Sequence, residues 1–320
     1  MSPISRRHLL AGVSLVSAGI TAAWGEAPTL DRSHEAPRRK RIALVMKTLT
    51  NPFFAEMESG ARRAEADLDI ELLVKTAAQE TSIEQQVVIV DSLIRSQVDA
   101  IVIAPGDSFR LIPVLKRARG AGIVVVNIDN RLDPAFALRQ GLTTPFIGVD
   151  NRLGAAAAVR VLTVGITGPT EAVIIEGVRT AANAEARKQG ALDAFGETAA
   201  IHVVAQESAN WKIDEAHDVA ARILGAHPSV ALVYCANDMM ALGAIRLLQE
   251  QNRADIRVGG FDALPEAMSA LQAGRLAVTV DQRAAEQGRL GVQAAVALLK
   301  GEAVPTELML DTVVLTAPKI

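Results

Sequence analysis

From residue 41 onward, short β-branched runs alternate with longer stretches of helical period, and that alternation narrows the possible folds more than any other feature of the chain. Strands are expected over 41–46, 70–75, 98–103, 123–128, 145–149, 172–176, 200–205, 229–235, 256–261, 276–281 and 308–315. Between most of them, segments such as 53–68, 83–96, 108–120, 151–165, 184–195, 212–225, 238–251 and 283–300 place apolar residues three and four apart. Runs such as Ala100–Ile103 and Ile123–Val126 are apolar throughout, as in strands covered on both faces. Strand–helix alternation of this kind specifies right-handed βαβ units around a parallel sheet. A single parallel sheet of ten or more strands would be unusual. The expected fold class is therefore α/β with two similar lobes, each a parallel sheet flanked by helices on both faces. The irregular segment Asn130–Pro145 is the best candidate for the first break between them, with Asn151 opening the second half.

The first 40 residues stand apart from this pattern. Ser5-Arg6-Arg7-His8-Leu9-Leu10 precedes a mild apolar run that ends at Ala23, too short to span a membrane. This reads as a signal peptide of twin-arginine type over 1–23, or an ordinary secretory signal that carries two arginines, followed by a polar leader over 24–40. Loss of Arg6 and Arg7 with that segment shifts the formal charge from −3 to −5. An acidic chain gives no reason to expect nucleic acid as a partner. The single cysteine, Cys235, allows no intramolecular disulfide and is most simply a buried strand residue. His34, His202, His217 and His227 have no metal-ligand spacing, and no cofactor fingerprint is present. The expected location is the periplasm, as a soluble monomer.

The residues just past each strand are more telling. Lys47 comes after the first, Asp107 after the third and Asp129 after the fourth; Asn237-Asp238, Asp262 and Asp281-Gln282 come after strands of the second half. A parallel sheet puts these ends on one edge, where ligands bind in open α/β folds. Two such sheets face to face would line a cleft with Asp, Asn, Gln and Lys. That set suits a neutral polyhydroxylated ligand, because each hydroxyl both donates and accepts while aromatic rings cover its C–H faces. Asn51-Pro52-Phe53-Phe54 supplies two such rings at a strand-to-helix corner, where Pro52 costs little because a first-turn N–H has no partner in any case. Asp107 and Asp238 can be read equally well as helix N-caps.

Taken together, these motifs resemble the periplasmic sugar-binding proteins of the ribose/galactose type, the type I solute-binding proteins of ABC importers. The resemblance runs from about Arg41 to the end. It is carried by Thr50-Asn-Pro-Phe-Phe54, Ile128-Asp129, Gly148-Val-Asp-Asn151, Arg187-x-x-Gly190, His227-Pro228, Ala236-Asn-Asp-Met-Met-Ala-Leu-Gly-Ala244, Val258-Gly-Gly-Phe-Asp262 and Thr279-Val-Asp-Gln282, in order and at the right separations. It implies one wall of a sugar site built by Asn51, Phe53, Phe54 and Asp129, and an opposite wall built by Arg187, Trp211, Asn237, Asp262 and Gln282. Trp211 takes the place of a stacking Phe. The implied lobes are 41–149 plus 283–311 and 150–282 plus 312–320. They are joined by a three-strand hinge near 148–151, 281–284 and 310–313, about which ligand-driven closure would present the protein to an ABC permease.

Two departures keep the ligand open. Lys47 stands where the ribose-type pattern has a small hydroxyl residue, and Asn130 stands where it has Arg, with Arg131 one place further on. Lys47 and Asn130 therefore join the candidate ligand contacts. Ribose competes with other pentoses, polyols, inositols and hexoses, and Lys47 could instead pair with a sugar-acid carboxylate or neutralise Asp129 or Asp107. A receptor for a sensor kinase or chemoreceptor would carry the same site. A gene regulator would need a DNA-binding domain before residue 41, and an enzyme would need paired catalytic carboxylates in Asp129 and Asp262; the reading adopted is a binding protein and not an enzyme.

Overall fold

Alternate residues of each long β-branched run enter different hydrophobic cores. In strand β1 (Lys40–Met46), Ile42, Leu44 and Met46 pack into one cluster, and Ala43 and Val45 into another. A strand buried on both faces in this way must have helices on both sides. The computed structural model describes residues 38–317. The expected signal peptide and nearly all of the leader lie outside the described residues.

The first lobe is a six-stranded parallel sheet in the order β2 (Ile70–Thr76), β1, β3 (Ala100–Ile103), β4 (Val124–Ile128), β5 (Phe146–Val149) and β11 (Glu307–Leu310). The second repeats that order with β7 (Ile201–Ser208), β6 (Thr170–Glu176), β8 (Val230–Cys235), β9 (Arg257–Gly259), β10 (Val278–Asp281) and β12 (Val313–Thr316). Here the expectation of all-parallel sheets needs correcting, because β12 runs antiparallel to β10. The run expected as one strand over 308–315 is in fact two, split at Asp311-Thr312, one half in each sheet. The chain thus passes between the sheets three times: after β5, after β10 and between β11 and β12.

In the first sheet α2 (Ile83–Arg95) and α3 (Ile112–Gly120) cover one face, and α1 (Pro52–Asp67) and α10 (Ala284–Leu299) the other. In the second sheet α5 (Asn151–Leu162) and α6 (Ala182–Gly196) cover one face, and α7 (Ile213–Ala226) with α8 (Asp238–Glu250) the other. The helix after each of the first two crossings therefore packs on the sheet the chain has just entered. Close backbone approach makes these exchanged pairs tight. A Cβ on Gly60 would stand 1.7 Å from Ala285 O, and one on Gly288 would stand 2.1 Å from Met57 O.

Two helices lie outside the expected set, α4 (Pro134–Arg139) and α9 (Pro265–Gln272). The first lies inside the segment 130–145. There Asp133 accepts from Phe136 N and Pro134 opens the helix. Since β4 and β5 pair directly, this segment is a connection within the first lobe and not the break between lobes. Among the described residues no helix is long and apolar enough to cross a membrane.

Candidate functional site

Both sheets have the 2-1-3-4-5 order of doubly wound folds. Their switch points lie between β1 and β3 and between β6 and β8, where two connections leave in opposite directions and open a crevice. The carboxyl ends of the two sheets face each other across one cleft with about 220 Å³ of space free of atoms. That space is narrow, and only about 10 Å³ of it can hold the centre of a water molecule.

The first lobe supplies Lys47, Asn51, Phe53, Phe54, Glu80 and Asp129. Asn51 caps α1 through its side-chain oxygen, which accepts from Phe53 N at 3.1 Å, and its amide nitrogen donates to Glu80 Oε1 at 2.9 Å. The two phenylalanines meet edge to face, with centroids 5.1 Å apart, and both are buried. Lys47 is also buried; its Nζ lies 2.8 Å from Asp129 Oδ2 and 5.4 Å from the Phe54 ring centre. Asp129 adopts φ +63°, a left-handed conformation that Asp tolerates better than most residues, and its N–H donates to Ile147 O. Burial raises the Glu80 carboxyl pKa, opposed by the Lys47 charge and by the bond from Asn51.

The second lobe supplies Asn183, Arg187, Trp211, Asn237, Asp262 and Gln282. The Arg187 guanidinium is buried, stacks 3.8 Å from the Phe261 ring centre and lies 5.6 Å from that of Trp211. It donates to Asn151 Oδ1 and Ala236 O, both at 2.8 Å, and reaches Asp262 Oδ1 at 3.4 Å. Gln282 Nε2 donates to the same Asp262 oxygen at 2.6 Å. Burial pushes the Asp262 carboxyl well above its usual range, with Arg187 opposing. Trp211 has φ +68°, which is costly for a bulky residue. Its ring fits only because position 177 is glycine, where a Cβ would stand 2.1 Å from Trp211 Cη2. Asp262 is extreme too, at φ +123°, and the turn it opens is held by Asp238, which accepts from Leu264 N at 2.9 Å and from Thr279 Oγ1 at 2.8 Å. Strained backbone gathered at one cleft is a mark of a site held by its surroundings.

Ten of the eleven expected residues line this cleft, and Asn130 does not. Its amide nitrogen donates to Pro105 O at 3.0 Å, and its oxygen accepts from Asn183 N of the other lobe at 3.2 Å. The expected ligand contact is instead a brace between lobes. Ser108 joins it: Ser108 Oγ accepts from Ala182 N at 2.9 Å, and Ser108 N donates to Thr180 O at 3.0 Å. Helix α6 has no cap of its own, because Ala181 stands at its N-cap. The opposite lobe provides the caps. Arg131 turns away and forms a bidentate pair with Glu307 at 2.9 and 2.8 Å. Asp107 caps its own turn by accepting from Phe109 N and Arg110 N.

Glu80 and Asn183 are the two lining residues that sequence reasoning missed. Glu80 comes after a strand as the other polar residues do, and Asn183 lies four residues before Arg187 on one helix face, so both signals were present. Several polar groups in the cleft make no protein hydrogen bond among the described residues. The Asn183 side-chain oxygen is buried without a partner. Asn237 Oδ1 caps α8 through Met240 N, which leaves its amide NH₂ for the cleft. Among the described residues no cluster of three or more His, Cys, Asp or Glu could hold a metal ion. The site therefore offers acceptors and donors in mixed order between aromatic faces, with no metal centre among the described residues.

A sequence profile for the periplasmic binding protein domain matches residues 42–303. The chain belongs to the periplasmic binding protein family. Among relatives of this family, a D-ribose/D-allose-binding protein of Pseudomonas aeruginosa is 41% identical over 94% of each chain. The D-allose-binding periplasmic protein of Escherichia coli is 31% identical over 83% of this chain and 86% of its own. Among solved structures, an ABC transporter periplasmic solute-binding protein from Actinobacillus succinogenes with bound D-allose superposes with a TM-score of 0.83 at 36% identity, covering 87% of this chain and 98% of that one. Each is named for binding, in keeping with a periplasmic binding protein that catalyses no reaction.

Proposed function

We propose that this protein captures a small neutral aldose in the interlobe cleft by hinge closure and delivers it to an ABC permease from the periplasm. The observation that carries the reading is the set of cleft groups without a protein hydrogen bond, Asp129 Oδ2 on the first lobe and the Asn183 side-chain oxygen and Asn237 amide NH₂ on the second, held between Phe53, Phe54 and Trp211. A sugar hydroxyl satisfies one of each, and the rings cover its apolar faces. The names of the three relatives support an aldose of the allose or ribose kind.

Charge supports a neutral ligand over a sugar acid. Lys47 is already paired with Asp129 and Arg187 with Asp262, and Glu80 adds a third carboxylate against these two cations. A ligand carboxylate would enter a site where each cation already faces a carboxyl group of the protein. Closure is the second half of the mechanism: a sugar held by one lobe completes its hydrogen bonds only when the other lobe arrives, so binding shifts the population toward the closed form. The permease would then read the closed surface of a monomeric carrier.

A thermal-shift panel of pentoses, hexoses, polyols, inositols and sugar acids tests this. At a hundredfold excess over Kd a ligand stabilises by about 2.7 kcal/mol, which raises Tm by roughly 4–5 °C in a chain of this size. A neutral aldose should give that shift and sugar acids should not. A flat response to the whole panel would sink the carbohydrate reading. Size-exclusion chromatography with light scattering tests the monomer, and signal-dependent export with Arg6 and Arg7 replaced by lysine tests the twin-arginine route.

A further inference from the structure

We propose that Asp238 and Thr279 are positioning residues for the ligand site: neither lines the cleft, and both act by holding the strained turn that presents Asp262 to it. This rests on the carbohydrate reading above. Asp262 and Ala263 adopt φ +123° and +57° in succession. Left-handed backbone is costly for a residue with a Cβ, and φ +123° lies beyond the left-handed region that Asp tolerates. A turn of this shape persists only where its surroundings over-determine it.

Those surroundings are two side chains. Phe261 O accepts from Asp238 N at 2.8 Å, Ala263 N donates to Thr279 Oγ1 at 3.2 Å, and Leu264 N donates to Asp238 Oδ2 at 2.9 Å. Thr279 Oγ1 closes the set by giving its own proton to Asp238 Oδ1 at 2.8 Å. Both side chains are fully buried and absent from the cleft wall. Asp238 opens α8, but Asn237 already caps that helix through Met240 N, so the Asp238 carboxylate can turn to the neighbouring strand. Gly260 makes the room for it, since a Cβ there would stand 2.1 Å from Asp238 Oδ1. The turn so held aims the Asp262 carboxylate at Gln282 and Arg187, 2.6 and 3.4 Å away in the cleft.

Calorimetry with D-allose and with D-ribose tests the assignment, with circular dichroism as the check of folding. Apparent affinity falls with the fraction of molecules whose turn keeps its binding shape. Asp238→Ala should therefore weaken sugar binding by about tenfold or more. Ala263→Gly removes the Cβ penalty of the left-handed backbone. Alone, where the turn is already held, it should change Kd by less than about threefold; combined with Asp238→Ala, it should restore affinity by about threefold or more. A role in packing alone would give the loss without the restoration. Thr279→Val keeps the side chain's shape, removes its hydroxyl and should repeat both the loss and the restoration, so the test stands even where Asp238→Ala fails to fold. Wild-type affinity in a folded Asp238→Ala or Thr279→Val, or a loss that Ala263→Gly leaves untouched, overturns the assignment while leaving carbohydrate binding intact. Failure of the wild type to bind either sugar overturns the reading beneath it, and the assignment with it.

Discussion

Replacing Ser108 with alanine should weaken ligand binding although Ser108 does not line the cleft. In the closed form its Oγ accepts from Ala182 N at 2.9 Å and supplies α6 with a cap that Ala181 cannot provide. When the lobes part, that amide returns to water, so the bond contributes only to the closed state. Ser108 Oγ also donates to Arg131 O at 2.7 Å, but both residues belong to the first lobe and this loss cancels between open and closed forms. A helix cap contributes about 1 kcal/mol, which is roughly a fivefold change in Kd. The backbone bond from Ser108 N to Thr180 O survives the substitution, so closure is weakened and not abolished. Calorimetry should show Kd rising about fivefold, and stopped-flow fluorescence should place the rise in the dissociation rate, because the cap forms after capture. Hydrogen exchange supplies a local check. Ligand should protect the Ala182 and Asn183 amides in wild type, and the variant should lose protection at Ala182 while Asn183, capped by Asn130, keeps it. An unchanged Kd, or a change carried by the association rate, would refute the claim that one lobe caps a helix of the other.

Asp262→Ala should reduce affinity by at least about a hundredfold, because it strips a buried acceptor from Arg187, Gln282 and the ligand together; wild-type affinity in a folded variant would mean the site is misplaced. Gly177→Ala should drive the Trp211 ring from its place at a cost of about 1–3 kcal/mol in stability and shift its emission, and an unaltered spectrum would contradict the packing described. Trp211 fluorescence should change on ligand addition, with Trp211→Phe giving the baseline from Trp24; a saturating sugar that leaves it unmoved counts against a stacking role. Burial raises the Asp238 carboxyl to about 6, above the roughly 3.9 of an unfolded chain. The stability associated with its protonated form is therefore present below about 4 and lost as pH rises through about 6. Asp238→Asn should flatten the Tm profile across that window, and an identical slope would show that other groups govern it.

The polar strand ends were the most legible part of the site. They work because a parallel sheet collects its carboxyl ends on one edge, so Lys47, Asp129, Asn237, Asp262 and Gln282 could be grouped without knowing how the strands are ordered. The same rule applied to the second strand reaches Glu80, which lies only four residues past Thr76. What the letters do not carry is competition for a side chain. Asn130 stands beside Asp129 and looks equally available, but its amide is consumed by Pro105 and by a helix end from the other lobe. Helices α4 and α9 escape a reading by periodicity because each opens on a proline within a segment rich in loop residues, where only the cap or the packed face gives the helix away. The run 308–315 looks like one strand since its apolar character barely lapses at Asp311-Thr312. The break becomes visible only once two sheets claim its two halves.

Cys235 lies wholly buried on β8, and burial raises its thiol pKa far out of the reactive range. With no second cysteine in the chain, folding involves no covalent bond between side chains and no redox partner. The molecule can therefore complete its structure at any ambient redox potential, in a reducing or an oxidising compartment alike, and its unfolding midpoint should be the same with and without dithiothreitol. The thiol is also closed to reagents. A pair of cysteines engineered at exposed sites, Phe109 on one lobe and Asp214 on the other, could be conjugated without labelling the native one.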